Sequence, residues 1–84
     1  MRTTLFILED SECEPEIFTS AKEVYDFMKE IFIEHGKRYG FDSEDIEECY
    51  KELYESYSTY EITGYFGSYL GERSLNCYMR TIDI

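Results

Sequence analysis

The chain is organised around residues 42–55, which read DSEDIEECYKELYE. Apolar and aromatic side chains recur here every three or four residues, so they fall on one face of an α-helix capped by Asp42. These residues are Ile46, Cys49, Tyr50, Leu53, Tyr54 and, just beyond, Tyr57. The opposite face carries Glu44, Glu47, Glu48, Lys51, Glu52 and Glu55. The stretch predicts a helix that is apolar on one side and strongly acidic on the other.

The net charge of −11 is concentrated in two segments. Residues 42–55 contain seven carboxylates and one lysine, and residues 9–16, which read EDSECEPE, contain five carboxylates and no base. This acidity disfavours direct binding to nucleic acid or to an anionic membrane, because both repel carboxylates, and it favours basic proteins or cations as partners. The simpler alternative is that the charge only keeps the protein soluble.

Length and composition predict one small folded domain over residues 1–84. A chain of this length encloses a single small core but no deep active site. Its 18% aromatic content argues against disorder. We find no N-terminal signal-peptide pattern and no apolar run long enough to span a membrane. Cys13, Cys49 and Cys77 lack the spacing of a zinc site, and the last two fit as reduced core residues, so we expect a soluble cytoplasmic protein.

The segments before the acidic helix predict a strand, a loop and a second helix. Residues 3–8, TTLFIL, predict a first strand, and residues 9–16 predict a polar loop. A helix begins at the capping residue Ser20 and ends at Gly36 or Gly40. The link to the acidic helix is short, which predicts an antiparallel helix pair.

The last third of the chain predicts a β-hairpin. Gly71 suits the first position of a two-residue turn of type II′, and the pairing then extends back to Ile62 opposite Thr81. A longer loop over residues 67–73 is the alternative and would shift this register. The predicted fold class is therefore α+β, in the order β-α-α-β-β, with the antiparallel helix pair on one face of a three-stranded sheet of open strand order.

No group of residues predicts catalysis or a cofactor site. His35, the only histidine, continues the apolar stripe of its helix, and no acid, nucleophile or orienting partner is indicated for it. Phosphate-binding loops, nucleophile elbows and His–carboxylate metal motifs are absent. Residues 9–16 could attract a cation, but EF-hand spacing fails because Pro15 or Glu14 stands where glycine is needed. We predict a protein that is not an enzyme and holds no cofactor or metal.

The acidic helix supports a binding hypothesis. Carboxylates at i and i+4 stand about 6 Å apart, similar to phosphates along a nucleic-acid strand. Arginines and lysines of a phosphate-binding groove also pair with carboxylates. We therefore expect this protein to mask the basic surface of a nuclease or another nucleic-acid-binding protein. The expected contact residues are Glu44, Glu47, Glu48, Glu52 and Glu55 of the helix and Glu9, Asp10, Glu12, Glu14 and Glu16 of the loop.

One continuous acidic surface formed by the acidic helix and residues 9–16 would distinguish this hypothesis from the alternatives, and placement of the two segments at opposite ends of the fold would weigh strongly against it. In size and charge alone, the chain resembles the small acidic proteins with which phages and mobile elements disarm restriction or CRISPR nucleases. DNA mimicry of the anti-restriction or anti-CRISPR type is what this resemblance implies, and no family motif accompanies it.

The tyrosines of the predicted hairpin supply an alternative hypothesis. Tyr65 and Tyr78 face each other on the sheet side away from the helices, with Phe6 or Leu8 of the first strand beside them. Tyrosine combines a large apolar area with a polar tip and is enriched at interfaces. The alternative is a structural or regulatory interaction module, with Tyr65 and Tyr78 as contact residues of a homodimer.

Overall fold

Four strands and three helices account for most of residues 1–84, all of which the computed structural model describes. The strands are β1 (Arg2–Asp10), β2 (Cys13–Phe18), β3 (Tyr65–Leu70) and β4 (Arg73–Asp83). The helices are α1 (Ala21–Tyr39), α2 (Ser43–Tyr57) and the single turn α3 (Tyr60–Thr63). The strands form one antiparallel sheet in the order β2-β1-β4-β3, so the fold is α+β.

The segment predicted as a polar loop contains a strand, and the sheet therefore has four strands rather than three. β1 turns at Ser11 and Glu12 and returns as β2, which pairs only with β1. The prediction was wrong because carboxylates and Pro15 conceal the strand pattern, although both are tolerated on an edge strand. We call residues 9–16 the acidic hairpin.

The C-terminal hairpin has the predicted short turn, but its strands pair over a shorter length. Gly71 has a φ of 63° at the first turn position, and β3 and β4 pair directly from that turn. The predicted pairing of Ile62 with Thr81 is wrong, because residues 60–63 form α3 and Gly64 ends that helix with a φ of 82°. β4 pairs with β1 from Leu75 to Asp83, and beyond Tyr78 β1 is its only partner in the strand register.

The long helices begin and end through local capping interactions. The side chains of Ser20 and Asp42 accept hydrogen bonds from backbone N–H groups in the first turns of α1 and α2. Gly40, one of the two predicted stop residues, ends α1 with a φ of 73°. The other, Gly36, lies inside α1, and a Cβ there would stand 2.8 Å from Ile46 Cδ1. Its lack of a side chain allows α1 and α2 to approach closely.

Contacts along α1 and α2 show that the two helices run antiparallel. Near the start of α1, the ring of Tyr25 stacks on that of Tyr57 at the end of α2, with centroids 4.3 Å apart. Near the end of α1, Gly36 packs against Ile46 at the start of α2. Between these contacts, the Tyr50 hydroxyl donates a hydrogen bond of 3.0 Å to a backbone carbonyl of α1.

The core lies between the helices and one face of the sheet. Its largest fully buried side chains are Val24, Met28, Phe32, Leu53, Phe66, Leu75 and Cys77. α2 lies along β3: the Ser68 hydroxyl donates to the Cys49 carbonyl, and the Gly67 N–H donates to the Ser56 hydroxyl, both at 3.0 Å. Tyr54, predicted for the buried stripe of α2, is 62% exposed because it lies at the margin of that stripe.

Candidate partner-binding surfaces

Six carboxylates of α2 lie on its solvent-facing side. They are Glu44, Asp45, Glu47, Glu48, Glu52 and Glu55, all of them exposed, and we call them the acidic ridge. They face outward because Cys49 and Leu53 are buried against the sheet. Glu44, Glu48 and Glu52 follow one another at intervals of four residues, so they form a row along the helix with about 6 Å between neighbours.

The ridge carboxylates form no ion pairs. The ion pairs of the protein join Arg2 to Asp83, Lys22 to Asp26, and Arg73 to Asp10 and Glu12. Lys51, the only base of α2, is exposed and does not form an ion pair either. No base of the protein is therefore paired with the ridge carboxylates.

The outer side of α1 has a different charge pattern. It carries Glu23, Asp26, Glu30 and Glu34 together with Lys22, Lys29, Lys37 and Arg38, so α1 is neutral. Lys22 and Asp26 form an (i, i+4) ion pair of 2.6 Å, which is typical of a solvated helix with mixed charge. Both α1 and α2 bury one apolar side against the sheet, but only α2 carries almost exclusively negative charge on its exposed side.

The acidic hairpin distributes its five carboxylates among three environments. The Asp10 side chain is 5% exposed and accepts hydrogen bonds from Arg73 Nε at 3.2 Å and Nη2 at 2.7 Å. Glu9 lies on the sheet face away from the helices, opposite Asn76. The other three, Glu12, Glu14 and Glu16, are exposed at the turn and on the edge strand β2.

The Asp10–Arg73 pair joins β1 to the start of β4. Burial raises the pKa of the Asp10 carboxyl, but hydrogen bonds from Arg73 and from the Glu12 N–H together lower it by more than burial raises it. The pKa of Asp10 therefore lies below its ordinary value. The bond from Glu12 N is 3.0 Å long and closes the β1–β2 turn. Arg73 also approaches Glu12, with 3.7 Å between the nearest charged atoms. Asp10 is thus engaged by Arg73 within the fold.

The acidic ridge and the acidic hairpin lie on opposite edges of the sheet for most of their length. β2 and β3 are the two edge strands, and α2 lies along β3. Strands are spaced about 4.8 Å apart, so roughly 14 Å separates β2 from β3. The fold therefore does not merge all ten predicted carboxylates into one uninterrupted surface.

The two segments approach each other at one end of the molecule, where both hairpins turn. A depression there is lined by Glu12, Glu72, His35 and other residues, and a second one is lined by three ridge residues, Asp45, Glu48 and Glu52. Phe41 and Gly71 line both depressions, so the two are adjacent. Glu72 was missed in the sequence because its place beside Glu12 depends on the strand order, although its position in the Gly71 turn was predicted.

His35 lies at this same end of the molecule, where it is a buried packing residue. It is 7% exposed, its ring packs against Tyr39 and Phe41, and its Nδ1 atom makes no hydrogen bond. No group of three or more histidine, cysteine or carboxylate side chains is arranged to hold a metal ion. The surroundings of His35 provide neither a nucleophile nor an orienting carboxylate bonded to it.

The sheet face away from the helices, which we call the open face, carries a row of apolar side chains. Neighbours in register across the four strands are Ile17, Ile7, Tyr78 and Tyr65. Ile17, Tyr78 and Tyr65 are 67%, 42% and 49% exposed, and the two tyrosine rings lie 6.3 Å apart. Phe6 and Leu8, predicted to lie beside the tyrosines, are instead buried beneath the helices, because alternation along β1 places Ile7 on the open face.

Comparisons with protein-family models, curated proteins and solved structures give no match to this chain. None of its helices combines the length and the apolar character needed to cross a membrane. The acidic ridge and the open face are the two surface features of this protein that bear on its function.

Proposed function

We propose that this protein is a non-enzymatic acidic binding protein that masks the basic nucleic-acid-binding surface of a partner. The observation that carries the proposal is the acidic ridge, with six exposed carboxylates on one helix and no ion pair among them. The apolar side of α2 already packs in the core, so the ridge is the side that a partner meets.

Spacing and charge support this function. The 15 residues of α2 extend over about 22 Å, and carboxylates at i and i+4 are about 6 Å apart. Arginine and lysine side chains that hold phosphates pair with carboxylates as well, and arginine can do so with two hydrogen bonds. A partner groove occupied by the ridge is closed to DNA or RNA. Restriction and CRISPR nucleases have such grooves and are the candidate partners.

The proposed contact surface is the ridge, extended at the end of the molecule by Glu72 and Glu12. Glu14 and Glu16 have a use within the fold itself, because charges on an edge strand prevent pairing with the edges of other sheets. Asp10 is held by Arg73. Within the ridge, Glu44 and Asp45 complement the N-terminal turn of α2, whereas Glu47, Glu48, Glu52 and Glu55 have no such structural role. Neutralising ridge carboxylates is therefore the informative change.

Two variants with equal changes in net charge test whether the position of the charge matters. One changes Glu44, Glu48 and Glu52 of α2 to Gln, and the control changes Glu23, Glu30 and Glu34 of α1 to Gln. We expect immobilised native protein and the α1 variant to capture the same nucleic-acid-binding protein from a panel of purified nucleases. The α2 variant is expected not to capture this nuclease. Added salt or duplex DNA should release the nuclease from the native protein and from the α1 variant. Equal capture by the α2 variant would mean that the ridge only confers solubility.

A further inference from the structure

The open face lacks the negative charge that covers much of the rest of the protein. Its central residues are Leu5, Ile7, Glu9, Ile17, Tyr65, Gly67, Asn76, Tyr78 and Arg80. Glu9 and Arg80 are the only charged residues among them, and their charges are opposite. Two copies of a chain with a net charge of −11 repel each other wherever carboxylates face carboxylates. The open face is the side on which a second copy meets the least repulsion.

The open face is also large enough for a dimer contact. Four strands give a width of about 19 Å, and the central strands β1 and β4 extend over roughly 30 Å. The projected area of the open face is therefore roughly 500 Å², and projecting side chains add to the surface that can be buried. A standard interface buries about 800 Å² on each partner. This area includes polar residues, but the apolar row of Ile17, Ile7, Tyr78 and Tyr65 crosses its middle, and the largest apolar patch on a folded domain is often a functional surface.

The distribution of large and small side chains makes the open face complementary to itself. Isoleucines occupy the β1–β2 half, and tyrosines occupy the β4–β3 half. A two-fold axis that runs along the strands between β1 and β4 lays β1 of one copy over β4 of the other. Ile7 then meets Tyr78, and Ile17 meets Tyr65, so each smaller side chain packs against a larger one. Two sheets packed in this way stand about 10 Å apart.

We propose that the open face binds a second copy of this chain, which gives a two-fold symmetric dimer with the sheets face to face. The helices then lie on the outer sides of the dimer, and both acidic ridges remain exposed. The dimer does not depend on the masking function, since it uses the opposite side of the sheet. It also has the opposite salt dependence, because added salt screens the repulsion between two acidic copies.

Sedimentation equilibrium of the native protein and two variants tests the proposal. The native protein is expected to have a mass twice the 10.1 kDa of one chain and to dissociate less at about 0.5 M than at about 0.05 M sodium chloride. Ile17→Glu, at the most exposed position of the apolar row, should raise the dissociation constant by about tenfold or more. Tyr54→Glu is the control, because Tyr54 is similarly exposed but lies on α2.

A native protein that sediments as one chain at every concentration and salt would overturn the proposal. So would a dimer that Ile17→Glu leaves intact, or one that Tyr54→Glu weakens equally. Circular dichroism establishes that each variant is folded. If Ile17→Glu fails to fold, Tyr78→Glu in the centre of the row replaces it and is expected to give the same loss of dimer.

Discussion

Asp10 and Arg73 form the only ion pair of this protein in which both side chains are largely buried, at 5% and 16% exposure. The guanidinium donates two hydrogen bonds to the carboxylate and thereby joins β1 to β4. Loss of one partner would leave the other charge uncompensated where water reaches it poorly, which is far more destabilising than loss of an exposed pair. At the scale of single residues, this pair is the ion pair whose loss should destabilise the fold most.

We predict that Asp10→Asn lowers the free energy of unfolding by about 2 kcal/mol, because Arg73 loses its charged acceptor. A change of this size lowers the melting temperature by roughly 8–16 °C in a domain of this length. Asp26→Asn, which removes an exposed pair, is the control and should have a much smaller effect. Denaturant unfolding measures both variants, and equal effects would contradict a structural role for Asp10.

The same pair predicts how stability depends on pH. The pKa of Asp10 lies below its ordinary value of 3.8 in the folded protein, so the unfolded chain binds more protons in acid. The stability that the pair contributes is therefore complete above about pH 5 and is lost as the pH falls through 3.8 toward the folded pKa. The difference in unfolding free energy between the native protein and Asp10→Asn should shrink over that range. A constant difference would contradict this assignment.

The cysteines predict a pattern of thiol reactivity. Cys13 is exposed, whereas Cys49 and Cys77 are buried, and burial raises the pKa of Cys77 to about 12. Because the thiolate is the reactive form, we expect one rapid reaction with a disulfide reagent in the native state and three after denaturation. Cys13→Ser should abolish the rapid reaction, and rapid labelling of a second thiol in the native protein would show that the core placement is wrong.

At the scale of secondary-structure elements, the helices whose ends are determined by local interactions could be predicted from the sequence. Ser20 and Asp42 cap α1 and α2 as expected, because capping involves residues three positions apart. β2 could not be predicted, since its carboxylates and Pro15 are compatible with a strand only at the edge of a sheet. The predicted strand at Ile62 is replaced by α3, which Gly64 ends in a conformation that few other residues adopt.

Close packing of β3 on β4 predicts that Gly67 is essential to the hairpin. An added Cβ would overlap the Leu75 carbonyl oxygen and the Asn76 side chain, and the strand backbone would have to move. We expect Gly67→Ala to lower the free energy of unfolding by about 2 kcal/mol or more. Gly64→Ala meets no neighbouring atom, and its positive φ alone should lower it by about 1 kcal/mol. A milder effect for Gly67→Ala than for Gly64→Ala would contradict the close approach.

At the scale of the whole molecule, we predict that the charge of the ridge lowers stability. Carboxylates at i and i+4 repel each other, and α2 offers them no paired base. We expect sodium chloride at about 0.5 M to raise the melting temperature by screening this repulsion. The Glu44, Glu48 and Glu52→Gln variant should melt higher at low salt and respond less to added salt than the α1 variant. A melting temperature that falls with salt would mean that these carboxylates are paired.

The surfaces of the whole molecule could be predicted only in part. The ridge follows from helical periodicity within 15 consecutive residues, so the sequence contains all the information it needs. Its approach to Glu12 and Glu72 depends on the strand order β2-β1-β4-β3, which results from pairing between distant segments. The tyrosine half of the open face was predicted from one hairpin, but Ile7 joins it through the pairing of β1 with β4, and Ile17 joins it through β2.

Displacement of DNA is the measurement that tests the masking function most directly. A fluorescein-labelled duplex is bound to the captured nuclease, and its anisotropy is followed as native protein, the α1 variant or the α2 variant is added. We predict displacement by the native protein and the α1 variant at similar concentrations. The α2 variant should require about 100-fold more, since three charge contacts of about 1 kcal/mol each are lost. Displacement by the α2 variant at the native concentration would contradict the role of the acidic ridge.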